Sequence, residues 1–197
     1  MEFPDDPLAA HWLSLGKFVH RYAEIESAMH HVLRIVANVP DRTARAMFSG
    51  TRVSQATDTV KRIYAARKES IPSYLVKAFS KIGDVTKARD RLLHHGMQFE
   101  SGKIIVTDET KNLSSRAFKH EVSIADLSAL EEDATTIQAC LLCFRIEARR
   151  PDLIGTEIHL DWTSLAQVPW RYKSPKPMKT RGVSRGSVRE RKGPPQP

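Results

Sequence analysis

In the stretch K-A-R-D-R-L-L-H-H-G at residues 87–96, Arg89, Asp90 and His94 are the side chains whose types and spacing could do chemistry. An arginine stays charged at any physiological pH and presents a planar fork that fits two oxygens of a phosphate or carboxylate. Imidazole titrates near ~6.5, so a histidine can give or take a proton near neutrality. A carboxylate four residues before a histidine sits one turn away on the same helix face, where it can hold the ring in one tautomer. The trio therefore suits a site that binds an anion and moves a proton.

The element that must position them is a helix with an apolar stripe through Leu75, Ala78, Phe79, Ile82, Val85, Leu92 and Leu93, started near Ser70 and Pro72 and stopped by Gly96. At 100 degrees per residue Arg89 falls inside that stripe, while Asp90 and His94 lie at its edge and His95 points away. A guanidinium in an apolar seam is costly unless it is paired. The first helix offers a partner: its stripe through 15, 19, 22, 26, 29 and 33 contains one acid, Glu26. Two readings stay open on the residues alone. Either Arg89 and Glu26 form a structural bridge with His94 a surface imidazole, or Arg89 and His94 belong to a site.

The remaining pattern is helical with one interruption. A long amphipathic helix runs from Leu8 to about Asn38 before Pro40, and a short one spans Asp41–Phe48 before Gly50. A third, capped by Thr51 or Ser54, continues to about Lys68. After Gly96 the period changes. Gln98–Glu100 and Lys103–Thr107 read as a hairpin, with Phe118–Val122 as a candidate third strand. Ser123 and Asp126 open a last long helix to about Arg149, ended by Pro151, and residues 152–170 are expected to lie irregularly over the bundle.

The formal net charge of +8 is not spread along the 197 residues. Nine of the 31 basic residues and one of the 23 acids lie in 171–197, which leaves 22 of each in residues 1–170. The expected division is thus a neutral helical domain, 1–170, and a basic tail, 171–197, too poor in apolar residues to fold, which adds attraction to phosphates or simply solubilises the chain. The two cysteines, Cys140 and Cys143, make no disulfide framework and fit a reducing cytoplasm. Neither a leader segment nor a membrane-length apolar run is expected.

Arg89-Asp90-Arg91-Leu92-Leu93-His94 resembles the signature of the HEPN superfamily: an Arg, a polar residue, and a His after four to six intervening positions, near the end of a bundle helix. The layout before it is similar too, a long first helix with Tyr22 and Ile25-Glu26, then a short helix and two more. The resemblance covers roughly residues 8–150. The chain departs from many members in having Asp90 in place of Asn and Leu93 in place of a small residue before the His.

This resemblance implies a mainly α, up-and-down helical bundle with a small β-hairpin after the motif helix, dimerising through the motif helices. It further implies one of two functions: a metal-independent endoribonuclease, of the kind found in toxin–antitoxin, phage-defence and stress systems, or a catalytically silent bundle that binds RNA or a protein partner. In the first, Arg89 and His94 are catalytic, Asp90 and Glu26 supporting, and no metal or cofactor is needed. RNA is the substrate, a second copy completes the site, an antitoxin protein is a further partner, and no membrane is involved. RNA carries its own nucleophile, the 2′-hydroxyl, so the protein need only move protons and stabilise the charged phosphorane. Arg89 and His94 diverge by about 140 degrees on one helix, so two copies across a dimer axis would bring them to one cleft.

Other candidates carry less. His30-His31 and His94-His95 diverge by about 100 degrees within each pair and cannot chelate one ion together. Cys140-x-x-Cys143 lacks the strand-to-helix context of a redox motif and reads as core, as does the Trp12, Phe18 and Tyr22 stripe.

Overall fold

The first helix, α1 (Pro7–Ala37), has its start and stop written locally. The Asp6 carboxylate accepts the Leu8 N–H at 2.9 Å, Pro7 stands where an amide hydrogen would have no partner, and Asn38 turns left-handed at φ 53 to end the helix. In the computed structural model, which describes residues 6–94, 96–100, 103–108 and 118–174, five more α-helices follow. They are α2 (Asp41–Phe48), α3 (Val53–Arg67), α4 (Ser73–His94), α5 (Ile124–Arg149) and α6 (Glu157–Gln167). The N-cap of α3 is neither Thr51 nor Ser54 but Arg52, whose backbone N–H is taken by the Gln55 side chain at 3.0 Å. Ser123 and Asp126 form the expected reciprocal cap on α5.

The molecule is a mainly α bundle with a small antiparallel sheet after the fourth helix. Strands β1 (Gly96–Glu100), β2 (Lys103–Asp108) and β3 (Phe118–Val122) pair in that order, with Ile104 opposite Val122 and Val106 opposite His120. Those four are buried, so one face of the sheet closes onto the bundle, as a period of two requires. Gly96 thus opens β1 after α4 has ended at His94.

The central element is α5. Leu127, Leu130, Ala134, Ile137, Ala139, Cys140, Leu141, Cys143 and Phe144 are all buried, more positions than one stripe can hold, because α1, α4 and α6 cover different sides of it. Both cysteines are free, and burial pushes the Cys140 thiol up to about 11, which suits inert core groups. Phe18 and Tyr22 join the core as expected, whereas Trp12 is 52% exposed.

Two expectations for the C-terminal region are overturned. Residues 157–167 form α6, which packs on α5 through Ala166 and Trp162. The folded domain also runs past residue 170. Lys77 donates to the Ala166 and Val168 carbonyls and Lys81 to that of Tyr172, while Trp170 lies under both ammonium groups. Tyr172 is 7% exposed. The basic tail expected from residue 171 lies, from residue 175 on, outside the described residues. No described helix is long and apolar enough to cross a membrane.

Candidate functional site

Arg89 leaves α4 toward α1 and comes to rest over the Tyr22 ring, 5.3 Å from guanidinium carbon to centroid. Tyr22 is fixed beneath it. Its body is core, and its hydroxyl hydrogen-bonds Thr86 Oγ1 at 3.0 Å, one turn before Arg89 on the same helix. Burial raises the Tyr22 pKa further above its usual value, so the phenol stays neutral and presents its π-face to the cation.

The ion partner of Arg89 is Asp90 and not Glu26. Nη1 of Arg89 donates to Asp90 Oδ1 at 2.9 Å. Consecutive Cβ atoms on a helix diverge, but a wheel places Cβ atoms and not the end of a long, flexible stem, which here reaches the neighbouring carboxylate. Glu26 is near enough for its charge to favour the guanidinium, without bonding to it. The hydrogen bond donated to Asp90, and then the two carboxylates' charges, hold the Arg89 pKa above its already high value, so the cation is permanent.

The pairing also changes the part expected of Asp90. Its Oδ1 is spent on Arg89, and no hydrogen bond or ion pair joins it to His94. His94 stands exposed in the last turn of α4, five residues beyond Arg89. Leu93, in the middle of the apolar arc on a wheel, is 40% exposed, because a wheel gives direction and not whether anything lies opposite. The arginine itself is half-buried, its side chain 28% exposed, and its buried Nε has no hydrogen-bond partner among the described residues. The structure therefore gathers Tyr22, Glu26, Thr86, Arg89 and Asp90 at the α1–α4 seam and leaves His94 at the open end of that helix.

Sequence reasoning missed Thr86 and the use of Tyr22 as a platform. The signal was present: Thr86 and Arg89 are three apart on α4, and Tyr22 and Glu26 four apart on α1, so two adjacent faces meet. It also missed Lys81 and Asp133, a pair buried between α4 and α5 with nitrogen and oxygen 3.2 Å apart. Among the described residues no group of three metal-ligating side chains forms. Comparison with known protein families, curated proteins and solved structures finds no match to this chain.

Proposed function

We propose that the chain is a HEPN-type endoribonuclease that works without a metal, as a homodimer. The observation that carries this reading is Arg89: a permanent cation, partly open to solvent, held on the Tyr22 ring by a single carboxylate, on the same helix as an exposed histidine. Such a guanidinium can exchange Asp90 for phosphate oxygens without leaving its platform. In the reaction the 2′-oxygen bonds to phosphorus and the 5′-oxygen leaves. One proton is taken from the 2′-hydroxyl and one is delivered to the departing oxygen. In this reading His94 transfers these protons and Arg89 bears the charge on the phosphorane. The products are a 2′,3′-cyclic phosphate and a 5′-hydroxyl.

A second copy is required in this reading because Arg89 and His94 point apart by about 140 degrees on one helix. The system would be a toxin, phage-defence or stress response, with an antitoxin protein as a natural partner. One observation favours the rival, a catalytically silent bundle that binds RNA or a protein: Asp90 already occupies one arm of Arg89. A substrate with a single ribose at the scissile position in a 2′-deoxy strand separates the two. The nuclease cuts it there and leaves the all-deoxy strand whole, whereas the silent bundle cuts neither.

A further inference from the structure

A groove between α1 and α2 lies next to the Arg89 seam and is lined, Glu26 apart, by residues to which the ribonuclease reading gives no part. One portion, of about 440 Å³, takes in His30, His31, Arg34, Arg45 and Phe48. The other, of about 470 Å³, runs along α1 through Glu26 and Ser27 to Arg52. His30, His31 and Gly50 line both, so the two portions adjoin, with the His30 ring bonded to the Thr51 carbonyl at 2.8 Å where they meet. Gly50 has φ 75, which suits a residue without Cβ, and leaves the backbone bare where the portions meet.

Glu26 joins this groove to the seam, since it lines the groove and its charge is felt by Arg89 and Tyr22. Along α1, Tyr22, Glu26, His30 and Arg34 follow one another every four residues, about 6 Å apart and about 18 Å in all. That is the length of a few nucleotides and not of a single anion. The charge is positive. Arg45 and Arg52 are exposed with no ion pair among the described residues, Arg34 is paired with Asp41 at 3.0 Å, and the charge of Arg145 is felt by His31. Three guanidinium groups, Arg34, Arg45 and Arg52, thus line the groove against the carboxylates of Asp41 and Glu26, and Arg145 acts on His31 from outside the lining. Half-buried Phe48 adds an aromatic surface. A basic groove with an aromatic surface beside it is the equipment of a single-strand binder.

We infer that the α1–α2 groove binds a single-stranded phosphodiester chain and is the track along which RNA extends from the Arg89 seam. The inference deepens the ribonuclease reading and rests on it for the strand being a substrate. Arg45 and Arg52 contact phosphates, and Phe48 stacks on a base.

The test uses the full chain with His94→Ala, so that the probe survives, and follows the anisotropy of a fluorescein-labelled single-stranded RNA of about 12 nucleotides across a salt titration. Adding Arg45→Ala and Arg52→Ala should weaken binding about tenfold or more and lower the salt slope by about 1.4. Lysine at both positions should keep the slope. The exposed pair Arg62→Ala and Arg67→Ala on α3 should leave affinity almost unchanged. Unaltered binding in the Arg45/Arg52 variant, an equal loss in the Arg62/Arg67 variant, or equal competition by polyglutamate would overturn the inference. Cleavage is scored apart, on the chain with His94 present. If that chain does not cut RNA yet binding depends on Arg45 and Arg52, the groove stands and the nuclease reading falls. If it cuts and binding ignores them, the reverse holds.

Discussion

The Asp133 carboxylate, 1% exposed, lies 3.2 Å from the Lys81 ammonium and accepts the backbone N–H groups of Arg171 and Tyr172 at 2.7 and 3.0 Å. Lys81 in turn donates to the Tyr172 carbonyl at 2.6 Å. A buried ion pair is expensive to desolvate, and it is sustained only where further hydrogen bonds satisfy both charges. Here the chain segment after α6 supplies them, so α4, α5 and residues 171–172 form one closed polar unit.

Truncation separates that unit from the rest of the basic segment. A chain ending at Ser174 should melt like the full chain. One ending at Trp170 should lose about 1 to 3 kcal/mol for each donor withdrawn from Asp133, and Asp133→Ala about 3 to 5 kcal/mol. Equal denaturation midpoints for the chains ending at 170 and 174 would show that the unit adds nothing.

At the α1–α4 seam the relevant measurement is a pair of double-mutant cycles. Arg89 and Asp90 should couple by about 0.2 to 1 kcal/mol, the range for partly exposed pairs, and Arg89 and Glu26 by less. Tyr22→Phe keeps the ring under the cation but gives up the bond to Thr86, at a cost of about 0.5 to 1.5 kcal/mol. A larger coupling to Glu26 than to Asp90 would reverse the assignment of the partner.

Acid should loosen the fold at His11. The residue is 3% exposed, its buried Nε2 has no partner among the described residues, and burial holds its pKa below the ordinary value of 6.5. A lowered folded pKa means that the unfolded chain takes the proton first. The contribution is therefore complete above about pH 6.5 and is lost as pH falls through the folded value. Denaturation midpoints should drop from about pH 7 to pH 5, and His11→Phe should flatten that drop. A profile that His11→Phe leaves unchanged would place the titration elsewhere, His31 being the other histidine held low by burial.

The end of α4 also carries the dimer expectation. Leu93, exposed directly before His94, is the apolar residue closest in sequence to the proposed histidine. Sedimentation should show a dimer at micromolar concentration, and Leu93→Glu should disperse it. A wild-type chain that stays monomeric throughout would contradict a site assembled from two copies.

The helices were readable wherever apolar spacing and a cap agreed, as at Ser123 with Asp126 or across the long run from Leu8 to Val36. The hairpin is readable from its change of period, and β3 forms at the candidate third strand, Phe118–Val122. The α6 segment was not, because Trp162 and Ala166 are its main buried contacts and eleven residues give a weak period. Of the site, the sequence placed Arg89 in an apolar seam and offered Glu26 on α1 as its partner; Arg89 does turn toward α1, but it rests on Tyr22, with Glu26 near and unbonded. Its true partner, Asp90, was hidden by reasoning from Cβ directions, and Lys81 with Asp133 by the ordinary expectation that charges face water. How far the polar groups beyond α1 and α4 gather into a groove depends on where α2 docks, and eight residues of its sequence do not say that.

The most direct test of the central claim is cleavage of a labelled single-stranded RNA, in EDTA, by the wild type and by His94→Ala and Arg89→Ala of confirmed helical content. His94 is exposed, so alanine there leaves the core intact and favours the helix. The wild type should cut the RNA, leave 2′,3′-cyclic phosphate ends and spare a 2′-deoxy strand. His94→Ala should reduce the rate by about 100-fold or more, the range for removing a general acid or base. Cleavage that requires a divalent ion, that proceeds on 2′-deoxy substrate, or that survives His94→Ala undiminished would contradict it.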